Sequence, residues 1–347
     1  MTILYAFGSN GNGQLGVGHT DDINTPTRCI GIPETETIVK VVGGGNHTAV
    51  LTQSGRVFLA GQWHSSSDMT TTTFIEPECV QGRQWRDVAC GWSFTILIEH
   101  DSALAYGFGT AKSGELGSMT KDPGLVAIDT VPLAMVACGW RHVVALGRDD
   151  GCLYGWGWDR HGQLLKRINI KPHIQEPNVL LSATSTPSKI RQIACGHLFT
   201  ALLTEDGTVY GFGSNKYAQL GNEQQQQQGD LIQIDNGVSF ISTGWHHIAM
   251  AKQDVEQGLV SIHNKGRHDH GQMAGQEHSM HVEHFVCGSE HMLALKQGKV
   301  FAWGWNEHGN CTSTQEDVLQ PIEVKVPKQG TVTVIGAGCA TSWIGIA

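Results

Sequence analysis

Of 347 residues only 16% are charged while 44 are glycine, a balance that fits many short strands joined by tight turns. The formal charge of −9 carries no block of like sign, so the basic tail or face that grips nucleic acid is not legible. No apolar run reaches the roughly 18 residues of a membrane span, and neither nucleic acid nor a bilayer is expected as a direct partner.

The chain reads as a repeat from its first residues. Leu4 to Gly8 form an apolar strand that runs into Gly8-Ser-Asn-Gly-Asn-Gly-Gln-Leu-Gly16. No leader segment is therefore expected. With nine cysteines and no secretion signal, reduced thiols and a cytoplasmic location are expected, with the nucleus also open to the protein. A second motif follows at Val41-Val-Gly-Gly-Gly-Asn-His47. It returns at Val88–Phe94, Val136–His142, Ile193–Phe199, Ile241–His247, Phe285–His291 and Ile335–Thr341. Its shared glycine falls at 44, 91, 139, 196, 244, 288 and 338, giving spacings of 47, 48, 57, 48, 44 and 50. A period of this size marks a repeat architecture.

Between the two motifs stand two apolar runs and a turn, best seen in Phe199–Thr204, Glu205-Asp206-Gly207 and Thr208–Gly213, the pattern of a β-hairpin. Each unit therefore supplies four short strands, A to D. A lone unit cannot bury both faces, so the units must stack around an axis. The expected fold is all-β: a single seven-bladed β-propeller over residues 1–347, with four-stranded blades. The glycine motif begins before the first copy of the other, so blade one should be closed by strands from both termini. Blade two drifts over Ser65 to Thr73, and blade six departs from the repeat at Val260–Gly271. The 57-residue spacing suggests a long loop over Lys166 to Pro187, and the run Gln224 to Gln228 an exposed one.

Catalytic signatures are missing. Gly107-Phe-Gly109 and Gly211-Phe-Gly213 lack the third glycine and the following helix of a nucleotide-binding loop. No nucleophile elbow or zinc-protease helix occurs. Cys90, Cys138, Cys195 and Cys287 share one repeat position, which spreads them around a ring and favours packing over a metal site. His278, His281 and His284 are spaced like ligands, but a polar blade edge is the simpler reading. His47, His142, His247 and His291 share a position suited to bonding the blade backbone. No catalytic, cofactor or metal site is assigned.

Tryptophan gives the better lead. Trp92, Trp140 and Trp245 follow the shared glycine in A–B turns, and Trp158 and Trp305 lie in C–D turns. Strand parity puts all five on one face. With Arg141 or Arg160, and with Glu307 and His308 beside Trp305, they form a candidate partner-binding surface, since aromatic and arginine side chains anchor interfaces.

The pairing of Val136-Ala-Cys-Gly-Trp-Arg-His142 with Gly8-Ser-Asn-Gly-Asn-Gly-Gln-Leu-Gly16 resembles the regulator of chromosome condensation repeat family over essentially the whole chain. Within it, Tyr5–Asn10, Trp303–Cys311 and Gly338–Ile344 are similar to a fungal branch of α-tubulin-suppressor or killer-toxin-insensitivity type. That resemblance implies a heterodimer with the small zinc-binding electron carrier of diphthamide synthesis on elongation factor 2. It also implies support for Elongator in modifying tRNA wobble uridines. Trp303–Gly309 and Cys287–His291 resemble the animal secretion-regulating exchange-factor branch as well. The alternative is therefore guanine-nucleotide exchange on a Ran-like or secretion-related small GTPase. The founder of the family uses a wedge loop for exchange and a basic N-terminal tail for chromatin, and neither is legible here. A scaffold for a ubiquitin or cytoskeletal complex is a third option.

Overall fold

A strand-turn-strand unit explains how each blade starts. Phe199–Thr204 is buried along its whole length. Gly207 takes φ +82 in the turn, a left-handed value glycine adopts without strain. Val209–Gly213 then returns antiparallel, with Phe199 opposite Gly213 and Leu203 opposite Val209. The computed structural model describes residues 1–64, 70–117, 124–165, 173–221, 230–254, 259–277, 280–327 and 329–347.

Seven four-stranded antiparallel sheets result. Blade 2 is Ile38–Gly43, His47–Thr52, Val57–Gly61 and Thr71–Ile75. Blade 3 is Trp85–Cys90, Phe94–Glu99, Ala105–Gly109 and Val126–Ala127. Blade 4 is Leu133–Cys138, His142–Gly147, Leu153–Trp158 and His173–Leu181. Blade 5 is Ile190–Cys195, Phe199–Thr204, Val209–Gly213 and Ile232–Asp235. Blade 6 is Val238–Thr243, His247–Asp254, Leu259–Gly266 and His281–Val282. Blade 7 is His284–Cys287, His291–Lys296, Lys299–Gly304 and Val318–Glu323.

Blade 1 closes the ring. Its A and B strands are Val332–Ala337 and Thr341–Ile346, and its C and D strands are Ile3–Gly8 and Ile23–Arg28. Ile3 pairs with Ile346 and Gly8 with Thr341, six consecutive pairs joining the two ends of the chain. The seven blades and this shared one agree with the repeat count.

Three expectations about loops are revised. His173–Leu181 is a nine-residue D strand, so the extra length of blade 4 goes partly into pairing and not wholly into a loop over 166–187. Blade two is complete, because Thr71–Ile75 pairs with Val57–Gly61 despite the irregular sequence before it. Blade six keeps an eight-residue C strand although its D strand shrinks to His281–Val282. The glutamine run 224–228 and His278 lie outside the described residues. His281 and His284 belong to different blades, so that histidine run straddles a blade junction.

The core sits between blades. Trp156 and Trp303 are fully buried. Trp156 Nε1 donates to the Glu115 carbonyl of the preceding blade, 2.9 Å away, and Trp303 Nε1 to that of Gln272, 3.0 Å away. The indole thus brings apolar area while its one polar group stays satisfied.

Three of the four shared histidines, His47, His142 and His291, also join blades, by a different bond from the one expected, whereas neither ring nitrogen of His247 has a partner among the described residues. His142 Nε2 lies 3.2 Å from Thr200 Oγ1 on the next blade, His47 Nε2 2.9 Å from Thr95 Oγ1, and His291 Nε2 3.0 Å from Ser342 Oγ. Thr200 and Ser342 already donate to the carbonyls of Gln163 and Asn310. The imidazoles of His142 and His291 must therefore donate through Nε2. A side-chain hydroxyl, and not only backbone, is the partner. The same geometry explains the shared glycine: a Cβ at Gly139 would meet His142 Cε1 at 2.1 Å.

Candidate functional site

Each A strand lines a central channel, and each A–B turn forms part of one of its mouths. The channel encloses about 400 Å³. Cys90, Cys138, Cys195, Cys287 and Cys339 face it. Burial pushes the Cys90, Cys195 and Cys287 thiols up to about 12, Cys339 to about 11, and Cys138 well above the usual value. Thiols held protonated in this way are poor nucleophiles and poor metal ligands. Among the described residues no three His, Cys, Asp or Glu side chains are grouped to hold a metal ion.

The residue after the shared glycine builds the mouth. Its backbone forms a belt from blade to blade: Gly45 N–H donates to the Trp92 carbonyl at 2.9 Å, Trp92 to Trp140 at 3.0 Å, and Trp140 to His197 at 3.3 Å. His197 then donates to Trp245 at 3.0 Å, Trp245 to Ser289 at 2.8 Å, and Ser289 to Gly338 at 2.9 Å. Turns that would otherwise expose free amides are thereby satisfied.

The belt's side chains converge. Trp140 and His197 stack with centroids 4.8 Å apart, and His197 and Trp245 at 5.1 Å. Trp245 meets Trp92 at 5.9 Å. Blades 3 and 6 are not neighbours, so this last contact crosses the channel mouth. Arg141 lies over the Trp140 ring at 4.9 Å, a cation–π geometry. Outward from the group, His246 packs on His197 at 5.5 Å and on Tyr217 at 4.8 Å. His246 Nδ1 is 2.5 Å from Glu290 Oε1, which also pairs with Arg267 at 3.5 Å. Burial acts to raise the Glu290 carboxyl, but its bond to His246, the nearby His247 and His246 rings and its bond to Gln272 together outweigh that and leave it below the usual carboxylate range. Burial, with His246 nearby, brings His197 down to about 4, so it is a neutral ring at physiological pH.

Of the residues singled out in the sequence, Trp92, Trp140, Trp245 and Arg141 come together at the mouth. Trp158 and Trp305 stand in outer C–D turns on the same face, because Trp158 N–H donates to Arg141 and Trp305 N–H to Glu290, both A–B turn residues. Trp158 packs on His173 at 5.3 Å and Trp305 edge-on to His308 at 5.5 Å. His308 Nδ1 is 2.7 Å from Asp22 of blade 1, and Glu307 is exposed. All five indoles are half-buried, neither sealed in the core nor free in solvent. His197, Tyr217, His246 and Arg267 were missed. His197 was legible, since it occupies the same repeat column as the three mouth tryptophans.

An RCC1-like domain description matches residues 3–344. An RCC1 repeat-containing protein of Schizosaccharomyces pombe is 28% identical, covering 99% of this chain and 98% of that one. A mouse secretion-regulating guanine nucleotide exchange factor is 27% identical over 98% of this chain and 82% of its own length. Among solved structures, Prp20p of Saccharomyces cerevisiae superposes with a TM-score of 0.82 at 18% identity, covering 100% of this chain and 91% of that one.

Proposed function

The chain belongs to the RCC1-like domain family, and from that premise we propose that it acts as a docking protein whose aromatic mouth and surrounding turns hold a small globular partner. The observation that carries this reading is the cluster of Trp92, Trp140, His197 and Trp245. Four rings held rigidly by a backbone belt offer large contact area at low entropic cost, the composition of an interface hot spot.

A small GTPase is the partner class favoured by the relatives. The mouse protein is named as a guanine nucleotide exchange factor, and the yeast structure is described together with binding to Gsp1p and histones. Exchange asks no covalent chemistry of a propeller. Holding the nucleotide-free GTPase more tightly than the loaded form is enough to speed release. A second reading, the small zinc-binding carrier of diphthamide synthesis with its link to Elongator and tRNA wobble uridines, is supported by the likeness of Trp303–Cys311 and Gly338–Ile344 to the fungal branch. In that reading the same face binds the carrier and no exchange occurs.

One experiment separates them. The immobilised protein, with its Trp140→Ala and Trp245→Ala variants, is offered a purified Ran-type GTPase and the zinc carrier, and GDP release from the GTPase is followed. Capture of the GTPase with accelerated release, weakened about tenfold or more by either substitution, is the expected result. Capture of the carrier without acceleration transfers the assignment to the second reading. Capture of neither at micromolar concentration ends the docking proposal.

A further inference from the structure

Charge is divided unevenly around the face that bears the tryptophans. Turns of blades 3 to 6 bring Lys112, Arg141, Arg160, Lys216 and Arg267 into one arc. The Tyr217 ring carries two of these cations, Lys216 Nζ at 5.2 Å and Arg267 at 5.5 Å from its centroid. The carboxylates that balance the arc lie mostly beneath it. Glu115, facing Arg141 at 3.9 Å, is 2% exposed, and Glu290 is 8% exposed. Burial raises the Glu115 carboxyl above its usual value, against the lowering effect of its backbone bonds and Arg141. Asp269, paired with Arg267 at 2.7 Å, reaches solvent beside the cations. On the same face, the turns of blades 7 and 1 present Glu307, Glu316, Asp317, Asp21 and Asp22.

We infer that the arc from Lys112 to Arg267 is the seat of a carboxylate-rich patch or segment on the docked protein. This deepens the docking proposal and rests on it. A partner surface with one acidic lobe matches the cationic arc, and charge complementarity of this kind fixes orientation and raises the association rate. A long polyanion is disfavoured, because the acidic turns of blades 7 and 1 border the same face and the chain carries −9 overall. The rings supply the second half of the recognition: Tyr217 and Trp140 preorganise the cations over them, so little side-chain entropy is lost when carboxylates arrive.

The test uses the full-length protein and a fluorescein-labelled oligoglutamate peptide read by anisotropy. Binding is expected, falling with added salt, and the double variant Lys112→Glu/Lys216→Glu should weaken it about tenfold or more. Arg148→Glu, at the B–C end of blade 4 on the opposite face, should leave it unchanged. No binding, or binding equal in all three proteins, overturns the inference. So does tighter binding of an oligothymidylate than of the peptide through the same lysines, which would make the arc a nucleic-acid surface. The docking proposal is scored separately by the tryptophan variants and protein capture: peptide binding can hold while capture fails, and the reverse.

Discussion

The glycine at the centre of six repeat copies, Gly44, Gly91, Gly139, Gly196, Gly244 and Gly288, is demanded by the aromatic ring three residues on, not by a turn. A Cβ at Gly139 would lie 2.1 Å from His142 Cε1 and 2.5 Å from the Gly196 carbonyl oxygen. Gly139→Ala should therefore cost about 3 kcal/mol or more in denaturant unfolding. Gly11→Ala, where nothing lies within 4 Å, should stay within about 0.5 kcal/mol. The histidine above the glycine sets the acid sensitivity. Burial brings His142 and His291 down to about 3, and His47 and His247 to about 4, from an ordinary 6.5. The unfolded chain then binds more protons than the native one as pH falls below 6.5. The stability these residues contribute is complete above that value and is lost on acidification, at about 1.4 kcal/mol per histidine per pH unit. Unfolding midpoints measured between pH 7.5 and 4.5 should fall steeply only below pH 6.5. His142→Gln should flatten part of that slope, and an unchanged slope would count against the neutral imidazole.

Blade junctions are where the repeat becomes a structure. Thr200 accepts from His142 of blade 4 and donates to Gln163 of the same blade, so one hydroxyl holds two elements of its neighbour. Replacing it with valine keeps the shape but orphans a buried N–H and a buried carbonyl. Thr200→Val should cost about 2–4 kcal/mol, whereas Thr208→Val, in an exposed turn, should cost little. The sequence made the strands and their turns legible, since Phe199–Thr204 and Glu205-Asp206-Gly207 carry their own pattern. It did not reveal these junctions, because Thr200 and His142 lie 58 residues apart and the repeated histidine by itself does not name a hydroxyl on the next blade as its partner. His173–Leu181 was hidden for a related reason. A D strand on the outer edge has one solvent-facing side, with Glu176, Asn178 and Val179 exposed, so its alternation is too weak to separate it from a loop.

The ring as a whole depends on its two ends meeting. Six residue pairs join Ile3–Gly8 to Thr341–Ile346, and Trp343, fully buried, packs in the core beneath them. Removing Gly338 to Ala347 strips the B strand from blade 1 and exposes both the Ile3–Gly8 edge and the neighbouring core. The truncated protein should aggregate, as judged by size-exclusion chromatography with light scattering. A monomer with an unshifted melting transition would refute closure by the termini.

Seven repeat copies and the early start of the glycine motif were enough to give seven blades and the shared one, because a unit that cannot bury its own faces has few ways to stack. The chemistry of the mouth was only half legible. Trp92, Trp140 and Trp245 stand out as residue types, but that Trp92 reaches across to Trp245 is decided by the diameter of the closed ring. The cationic arc is likewise a product of folding. Lys112, Arg141, Lys216 and Arg267 are scattered over 156 positions of an acidic chain and share a face because antiparallel parity sends every C–D and A–B turn to the same side.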